Sequence, residues 1–445
     1  MIIKNGSVAL PGREEAESLD IRIEDERIVE LGENLSGDGK VIDARGLLVL
    51  PGGIDPHVHF DDPGFTERED FASGSRFAAS GGITTVIDMP CTSIPPVTTV
   101  ANLEEKLAAV EKKAVIDYGF YGGVCCQSMG EGYPENFREL AAIVFGFKTY
   151  FISVMELFSA VDHFQFRTIL ERAAELGVTV LLHAEDYSYV AAATEYFMSR
   201  GNGPVDYYNS RPEAAELLAV RTALELVEET GADLHIVHLS TEKAAFLAAS
   251  SSATCETCPQ FLEFTLDDFI ARGSVLKVTP PVKKPGNREG LWKRLADGGI
   301  DFAASDHAPC PAEGKGTGSI WTDYAGIPGT GTILPYLFSE GYLKGRLTLR
   351  RLVEVTSENA ARRYGLYPKK GAIETGTDAD LVLIDPGQNW QVLGADFFSQ
   401  GHITPFEGRE FSGRVMETIV RGKSVYRSGA GILVDGGYGR FLTRG

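Results

Sequence analysis

The sequence has no apolar run long enough to cross a bilayer, and its first residues lack the charged and apolar regions of a signal peptide. Basic residues are also in short supply, since the 445-residue chain has a formal net charge of −20. Nucleic acids and anionic membranes attract basic patches, so neither is expected as a partner. We therefore expect a cytoplasmic protein that works away from membranes and nucleic acids.

Cysteines are few, and their spacing excludes a common metal fold. The six cysteines include one Cys-x-x-Cys pair, Cys255 and Cys258, with no second pair to complete a zinc ribbon. A redox pair is the alternative, but reduced and buried thiols are what a cytosolic chain predicts. The remaining composition, 43% hydrophobic and 23% charged, is that of an ordinary globular protein.

Short β-strands are predicted at both ends of the chain. Turn residues separate strand-like runs at 2–6, 21–24, 28–31 and 40–43, and similar runs recur at 379–385 and 415–426. Either end alone is too small to bury much core. We predict that residues 1–50 and 371–445 pair into one small β-sandwich outside a central domain, residues 51–370.

The central domain alternates short apolar runs with helical segments. The predicted strands lie near 53–59, 85–90, 118–124, 144–150, 179–184, 234–240, 254–259 and 300–306. Helical spacing of apolar residues marks 100–113, 165–176, 212–230 and 241–249 among the segments between them. Eight such alternations predict an α/β fold, a (β/α)₈ barrel of the TIM type. An open doubly wound sheet is the alternative, but no Gly-x-Gly-x-x-Gly follows the first strand, which disfavours dinucleotide binding.

Polar side chains interrupt these apolar strands near their carboxyl ends. They are His57, His59, Lys148, His183, His235, His238 and Asp306. Each alone has a simple explanation, such as a buried histidine that only donates a hydrogen bond. Together they would be costly to bury without partners, and all but His235 fall where barrel strands converge on one mouth. A divalent metal removes that cost, and histidine with carboxylate suits zinc or a similar ion.

The motifs that carry these residues resemble those of the cyclic amidohydrolases, which include allantoinase, dihydroorotase and hydantoinase or dihydropyrimidinase. The matching stretches are 51–59, 82–90, 146–148, 182–185, 235–240, 305–309 and 371–381. Their order and spacing cover nearly the whole chain. The resemblance implies a metal-dependent enzyme that hydrolyses a small neutral cyclic amide or ureide, and it implies a homo-oligomer, often a tetramer.

The resemblance also assigns roles to the polar residues. It makes His57 and His59 ligands of one metal ion, and it makes His183 and His238 ligands of a second. Lys148 would bridge the two ions as its N6-carboxylated form, a carbamate, because a protonated lysine would be repelled by cations. Two divalent ions, with zinc favoured, are therefore the expected cofactors.

Asp306 is the expected catalytic residue, as a ligand of the first ion and as a proton shuttle. The implied reaction is attack of a metal-bridging hydroxide on the ring carbonyl, which opens the ring to a ureido acid. His235 has no ligand counterpart in the family and is expected behind the site.

The identity of the ring depends on a second set of positions. Dihydroorotases usually carry an arginine and an asparagine where this chain has Asp61 and Cys91, so an anionic substrate is disfavoured. Hydantoinases usually carry a tyrosine where this chain has Ser153, although Gln260 matches their pattern. Allantoinase is the favoured interpretation, with dihydroorotase and hydantoinase as alternatives. Substrate contacts are expected from Asp61, Cys91 and Ser153 and, by resemblance, near Thr279 and Gly329.

Two loops are expected at the mouth of the barrel. Residues 61–70 are polar and residues 151–158 are apolar. They form either a substrate lid or a surface packed on a neighbouring subunit. A relative that keeps the fold without catalysis is a further alternative, and the intact set of six expected ligands argues against it.

Overall fold

The computed structural model describes residues 1–37, 39–130 and 132–444. Its strands in chain order are β1 Ile2–Val8, β2 Glu17–Glu24, β3 Arg27–Gly32, β4 Val41–Asp43, β5 Leu48–Pro51, β6 Gly53–Val58, β7 Ile83–Asp88, β8 Asp117–Phe120, β9 Gly122–Gly123, β10 Phe147–Tyr150, β11 Thr179–His183, β12 Asp233–Ile236, β13 Thr254–Thr257, β14 Phe302–Ala303, β15 Leu381–Gln391, β16 Glu410–Val420, β17 Lys423–Arg427 and β18 Gly431–Ile432.

The α-helices are α1 Phe71–Ser80, α2 Val100–Val110, α3 Tyr133–Ala141, α4 His163–Leu176, α5 Tyr187–Met198, α6 Pro204–Ser210, α7 Glu213–Thr230, α8 Glu242–Ala249, α9 Pro259–Glu263, α10 Leu266–Arg272, α11 Pro285–Asp297, α12 Ile333–Tyr336, α13 Leu349–Val353 and α14 Asn359–Arg363. Leu337–Leu343 and Glu354–Glu358 are π-helical. The described helices include none that is both long and apolar enough to cross a membrane.

Within the described residues, strands from the two ends of the chain form one sheet of nine strands. Their order is β18-β17-β16-β15-β5-β1-β2-β3, with β4 also paired to β1. The junction between the ends is the antiparallel pair of β5 and β15, in which Leu50 faces Val382. Ile21, Leu381 and Ile419 meet in the core that this sheet encloses. The two ends therefore stabilise each other, as their small size requires.

The central strands close into a barrel. Strands β6, β7 and β8 are parallel, and so are β9 to β14. Tyr121 alone separates β8 from β9, and its backbone N–H donates to the carbonyl of Asp88 at 3.1 Å, so both continue one wall. Val58 at the end of β6 pairs with His307 beyond β14, which joins the last strand to the first. The wall thus has eight strand positions, with helices between most of them.

The helices begin and end at residues with clear capping chemistry. Thr99 caps α2 by accepting from the N–H of Asn102, and Asp162 caps α4 by accepting from that of Gln165. Helix α4 ends at Gly177, which has a φ of 61° that glycine adopts without steric cost. These signals fix where each helix returns the chain to the next strand.

The predicted fold class is confirmed. All eight predicted barrel strands are present within a residue or a few of their expected positions, and the chain ends form the separate β-domain. The predicted run 415–426 is instead a hairpin of β16 and β17. Its turn is Arg421 and Gly422, whose φ values of 45° and 73° suit a two-residue loop.

Candidate metal centre and active site

Six of the sequence-predicted residues lie together at the carboxyl ends of the barrel strands, and we call this set the floor. Its members are His57 on β6, His59 just after it, Lys148 on β10, His183 at the end of β11, His238 beyond β12 and Asp306 beyond β14. All are buried except Asp306, whose side chain is 14% exposed. Parallel strands that end at one mouth therefore bring together residues from distant parts of the sequence.

The first half of the floor is His57, His59 and Asp306. The Asp306 Oδ1 atom lies 3.3 Å from Nε2 of His57 and 3.4 Å from Nε2 of His59, and their ligand atoms all lie within 4.8 Å of one another. His57 donates from Nδ1 to Glu256 Oε1 at 2.5 Å, so its Nε2 carries a lone pair. Nε2 of His57 and Oδ1 of Asp306 would both be acceptors with no hydrogen between them. A cation bound between these two atoms would make their approach favourable.

The second half of the floor is His183 and His238. His183 donates from Nε2 to Glu185 Oε2 at 2.9 Å, which leaves its Nδ1 lone pair 2.9 Å from Nε2 of His238. The rings of His57 and His238 have centroids 5.4 Å apart, so the two halves are adjacent. Burial lowers the pKa of His57, His183 and His238, which favours the neutral imidazoles that bind metals.

Lys148 lies on β10 at the boundary of the two halves. Among the described residues its Nζ has no hydrogen-bond partner, although the side chain is fully buried. Burial lowers the pKa of Lys148 to about 8, so the neutral amine is more populated near neutral pH than it is for a lysine in water, although the ammonium form still predominates. A neutral amine is the form that adds carbon dioxide, and the resulting carbamate would give this site an anion in place of an unpaired donor.

A glutamate behind the floor was not recognised from the sequence. Glu256 on β13 is fully buried and accepts from His57, from the backbone N–H of His238 at 3.2 Å and from Nε2 of His235 at 3.3 Å. Burial would raise the pKa of Glu256, but His57 and His235 hold it below its ordinary value. His235 thus lies behind the floor, as expected. The only sequence signal was one acidic residue inside the predicted strand 254–259.

A second buried ion pair supports His183 in the same way. Arg211 donates to Glu185 Oε2 at 2.5 Å, beside the hydrogen bond from His183. Burial alone would raise the pKa of Glu185, but Arg211 and His183 outweigh it and hold the pKa at about 2. Both carboxylates behind the floor are therefore ionised, and each fixes which nitrogen of its histidine faces the site.

Two residues of the floor have a backbone conformation that is rare outside glycine. His238 has a φ of 42° and Asp306 a φ of 50°. His238 lies two residues beyond the end of β12, and Asp306 lies three residues beyond the end of β14. Such local strain persists only where the surrounding structure holds it, and it is typical of functional sites.

A cavity of about 870 Å³ lies above the floor. One side is apolar, and we call it the rim: Phe65, Ile94, Ile152, Val154, Met155 and Leu157. Another side is polar and contains Thr279, Tyr207, Arg211 and Lys277, with the Thr279 and Tyr207 hydroxyls 2.6 Å apart. A third side is the 321–326 segment. The volume and the mixed lining suit a small ring with a substituent.

The remaining predicted substrate residues divide into two groups. Cys91, Ser153 and Thr279 line the cavity. Asp61 is buried in an ion pair with Nε of Arg68 at 2.8 Å, and burial raises its pKa to about 6. Gly329 donates its N–H to Nδ1 of His307 at 3.1 Å. Neither Asp61 nor Gly329 is among the described residues that line the cavity, and their contact with a substrate stays a prediction.

Comparisons with known proteins agree with this geometry. The model of the amidohydrolase family matches residues 48–425, which include the whole floor. The chain belongs to the amidohydrolase family. An allantoinase of Rubrobacter xylanophilus is 39% identical over 99% of this chain and 97% of its own length. A dihydroorotase of Halobacterium salinarum is 39% identical over 92% of this chain and 93% of its own length.

A solved structure extends the likeness to the fold. The L-hydantoinase (dihydropyrimidinase) from Arthrobacter aurescens superposes with a TM-score of 0.94 at 33% identity, over 100% of this chain and 99% of that one. Proteins named for three different cyclic amides thus match this chain almost end to end. The chain is therefore an enzyme, a cyclic amidohydrolase, and the idea of a non-catalytic relative is set aside.

Proposed function

We propose that this amidohydrolase opens the ring of allantoin to give allantoate, using two divalent metal ions held at the floor. The observation that carries the proposal is the convergence of imidazole lone pairs and a carboxylate at distances of 2.9–3.4 Å, together with a buried lysine whose Nζ has no hydrogen-bond partner within the described part of the chain. His57, His59 and Asp306 would hold one ion, and His183 with His238 the other. The carbamate of Lys148 would join both.

Zinc ions bound there would polarise the ring carbonyl and lower the pKa of a water molecule. The chain then supplies the proton transfers. Burial alone would raise the pKa of Asp306, but His57 and His59 hold it below its ordinary value, so the carboxylate is ionised and ready to accept. Asp306 takes a proton from the attacking water and gives it to the ring nitrogen as the carbon–nitrogen bond breaks. The product is a ureido carboxylate.

Allantoin is the first choice of substrate because of the relatives and because of the polar side of the cavity. Allantoinases are named among the relatives with 34–39% identity. Thr279, Tyr207 and Lys277 present hydroxyl and ammonium groups to the cavity, and these groups suit the carbonyl and amide groups of an exocyclic ureido substituent.

A hydantoin with an apolar substituent is the second candidate, and the rim favours it. Val154 is 87% exposed and Leu157 is 54% exposed at the mouth of the cavity. An apolar group bound there would cover side chains that otherwise face water. Dihydroorotate ranks lower, because Arg68 and Arg211 at the cavity are already paired with Asp61 and Glu185, and Lys277 already donates to the carbonyl of Asp323 at 2.5 Å.

The test is a substrate panel on one zinc-replete preparation, with allantoin, hydantoin, a 5-benzyl hydantoin, dihydrouracil and dihydroorotate. The proposal expects allantoin to have the highest kcat/KM. Faster opening of the benzyl hydantoin would move the function to the second candidate, and rapid turnover of dihydroorotate with allantoin inert would overturn both. Assembly into a homo-oligomer remains a prediction from the resemblance.

A further inference from the structure

Tyr150 is a floor neighbour that the proposed mechanism does not use. It ends β10 two residues after Lys148, so the two side chains leave the strand on the same face. Its side chain lines the cavity and the residue is 8% exposed. Tyr150 therefore contributes to the lining of the cavity in which the proposed reaction places the substrate ring.

The ring of Tyr150 is held on several sides. It stacks on His183 with centroids 5.2 Å apart and an interplanar angle of 28°, and Nζ of Lys148 lies 4.7 Å from its centroid. Phe158 packs edge-on against it at 5.8 Å. These contacts fix the direction of the hydroxyl group, which lies 3.1 Å from Sγ of Cys91. That sulfur is in turn 3.7 Å from Nδ1 of His59. Tyr150 therefore contacts His183 of one half of the floor through its ring and is linked to His59 of the other half through Cys91.

The hydroxyl group of Tyr150 has a weak partner. A thiol sulfur is a poor hydrogen-bond acceptor, so the phenol hydrogen remains available to a stronger one. Elsewhere in the cavity the hydroxyl groups of Tyr207 and Thr279 share one hydrogen bond at 2.6 Å, with an oxygen acceptor in place of sulfur. A phenol is protonated at neutral pH, and a carbonyl oxygen that gains negative charge is a much better acceptor than sulfur.

We propose that Tyr150 is a catalytic residue that donates a hydrogen bond to the ring carbonyl oxygen as water adds to the carbonyl carbon. The C=O π electrons move onto that oxygen while Asp306 removes one proton from the water. When the carbonyl re-forms, the carbon–nitrogen bond breaks and the proton passes to nitrogen. Tyr150 keeps its own proton throughout and stabilises the charge on oxygen. The role rests on the proposed ring-opening reaction but not on which ring is opened.

The test compares Tyr150→Phe with wild-type protein, both zinc-replete, on whichever substrate of the panel the wild type opens fastest. Removal of one donor to a developing oxyanion is expected to lower kcat about 100-fold while KM changes little. Zinc content and melting temperature should match the wild type. The control is Tyr133→Phe, which removes a buried hydroxyl group of α3 outside the cavity and should leave kcat unchanged.

A purely structural role through Cys91 and His59 predicts a different pattern. In that case Cys91→Ala would lower kcat as much as Tyr150→Phe, and both would lose zinc. The catalytic role predicts a smaller loss for Cys91→Ala than for Tyr150→Phe. Wild-type kcat in Tyr150→Phe, or equal losses with reduced zinc in both variants, would overturn the proposal. Since the substrate is chosen by the panel, a preference for a ring other than allantoin does not affect this result.

Discussion

The floor and the rim of the same cavity are built in different ways. Floor residues lie on or next to strand ends, are buried, and have partners such as Glu256 and Glu185 that fix their orientation. Rim residues lie mainly on loops, and Val154 and Leu157 are largely open to water. We therefore expect the floor to determine the reaction and the rim to determine which ring is accepted.

The largest expected effect is at the floor. Replacing Asp306 with Asn keeps the shape of the side chain but removes the proton acceptor, so kcat should fall by about 1,000-fold or more. Initial rates on the best substrate measure the loss, and circular dichroism checks the fold. Asp267→Asn, an exposed site on α10, is the matched control. Turnover close to wild type in Asp306→Asn would rule out the proton shuttle.

The next effect is behind the floor. Glu256→Gln removes the charge that keeps the Nδ1 hydrogen on His57, so affinity for zinc should fall by about 10–100-fold. Competition with a chelator measures the affinity. Glu225→Gln, on an exposed face of α7, should bind zinc like the wild type. Unchanged affinity in Glu256→Gln would show that His57 does not depend on its buried partner.

A smaller effect is expected at the rim. Leu157→Ser removes apolar surface from the mouth, so kcat/KM for a 5-benzyl hydantoin should fall about tenfold while that for allantoin changes little. Steady-state rates on both substrates give the ratio, and Leu433→Ser at another partly exposed leucine is the control. An equal loss of kcat/KM on both substrates would contradict a role of the rim in choosing between them.

Much of this comparison was predictable from the sequence, but unevenly. Short apolar runs bounded by turn residues predict buried parallel strands, and polar residues at their ends predict a shared mouth, which is how His57 and Asp306 were found. Glu256 was missed because its partner His57 is 199 positions away and no periodic pattern links them. The ion pair of Asp61 with Arg68 was missed for a related reason, since sequence spacing does not reveal which way a loop side chain faces.

An effect of a different kind, on stability and not on activity, is expected at Lys315, which holds the 321–326 segment of the cavity. Lys315 donates to the carbonyls of Lys277, Tyr324 and Gly326 at 3.3, 2.9 and 2.8 Å. Burial lowers its pKa from 10.5 to about 8, so between these values the folded protein holds fewer protons than the unfolded chain. This group therefore adds stability as the pH rises through that window, on the order of 3 kcal/mol in total.

Lys315→Met lacks this titration. The difference in free energy of unfolding, wild type minus variant, should consequently increase from pH 8 to pH 10.5. Urea unfolding at several pH values measures it, with Lys344→Met at an exposed lysine as the control. A difference that stays constant with pH would show that burial in the folded protein does not lower the pKa of Lys315.

The most direct measurement of the ring-opening mechanism is the zinc content of the native protein, followed through chelation and reconstitution together with activity. Two ions per chain are expected, with ring opening lost when they are removed and restored when zinc and bicarbonate are added back. Undiminished ring opening by metal-free protein would contradict the proposed role of the floor.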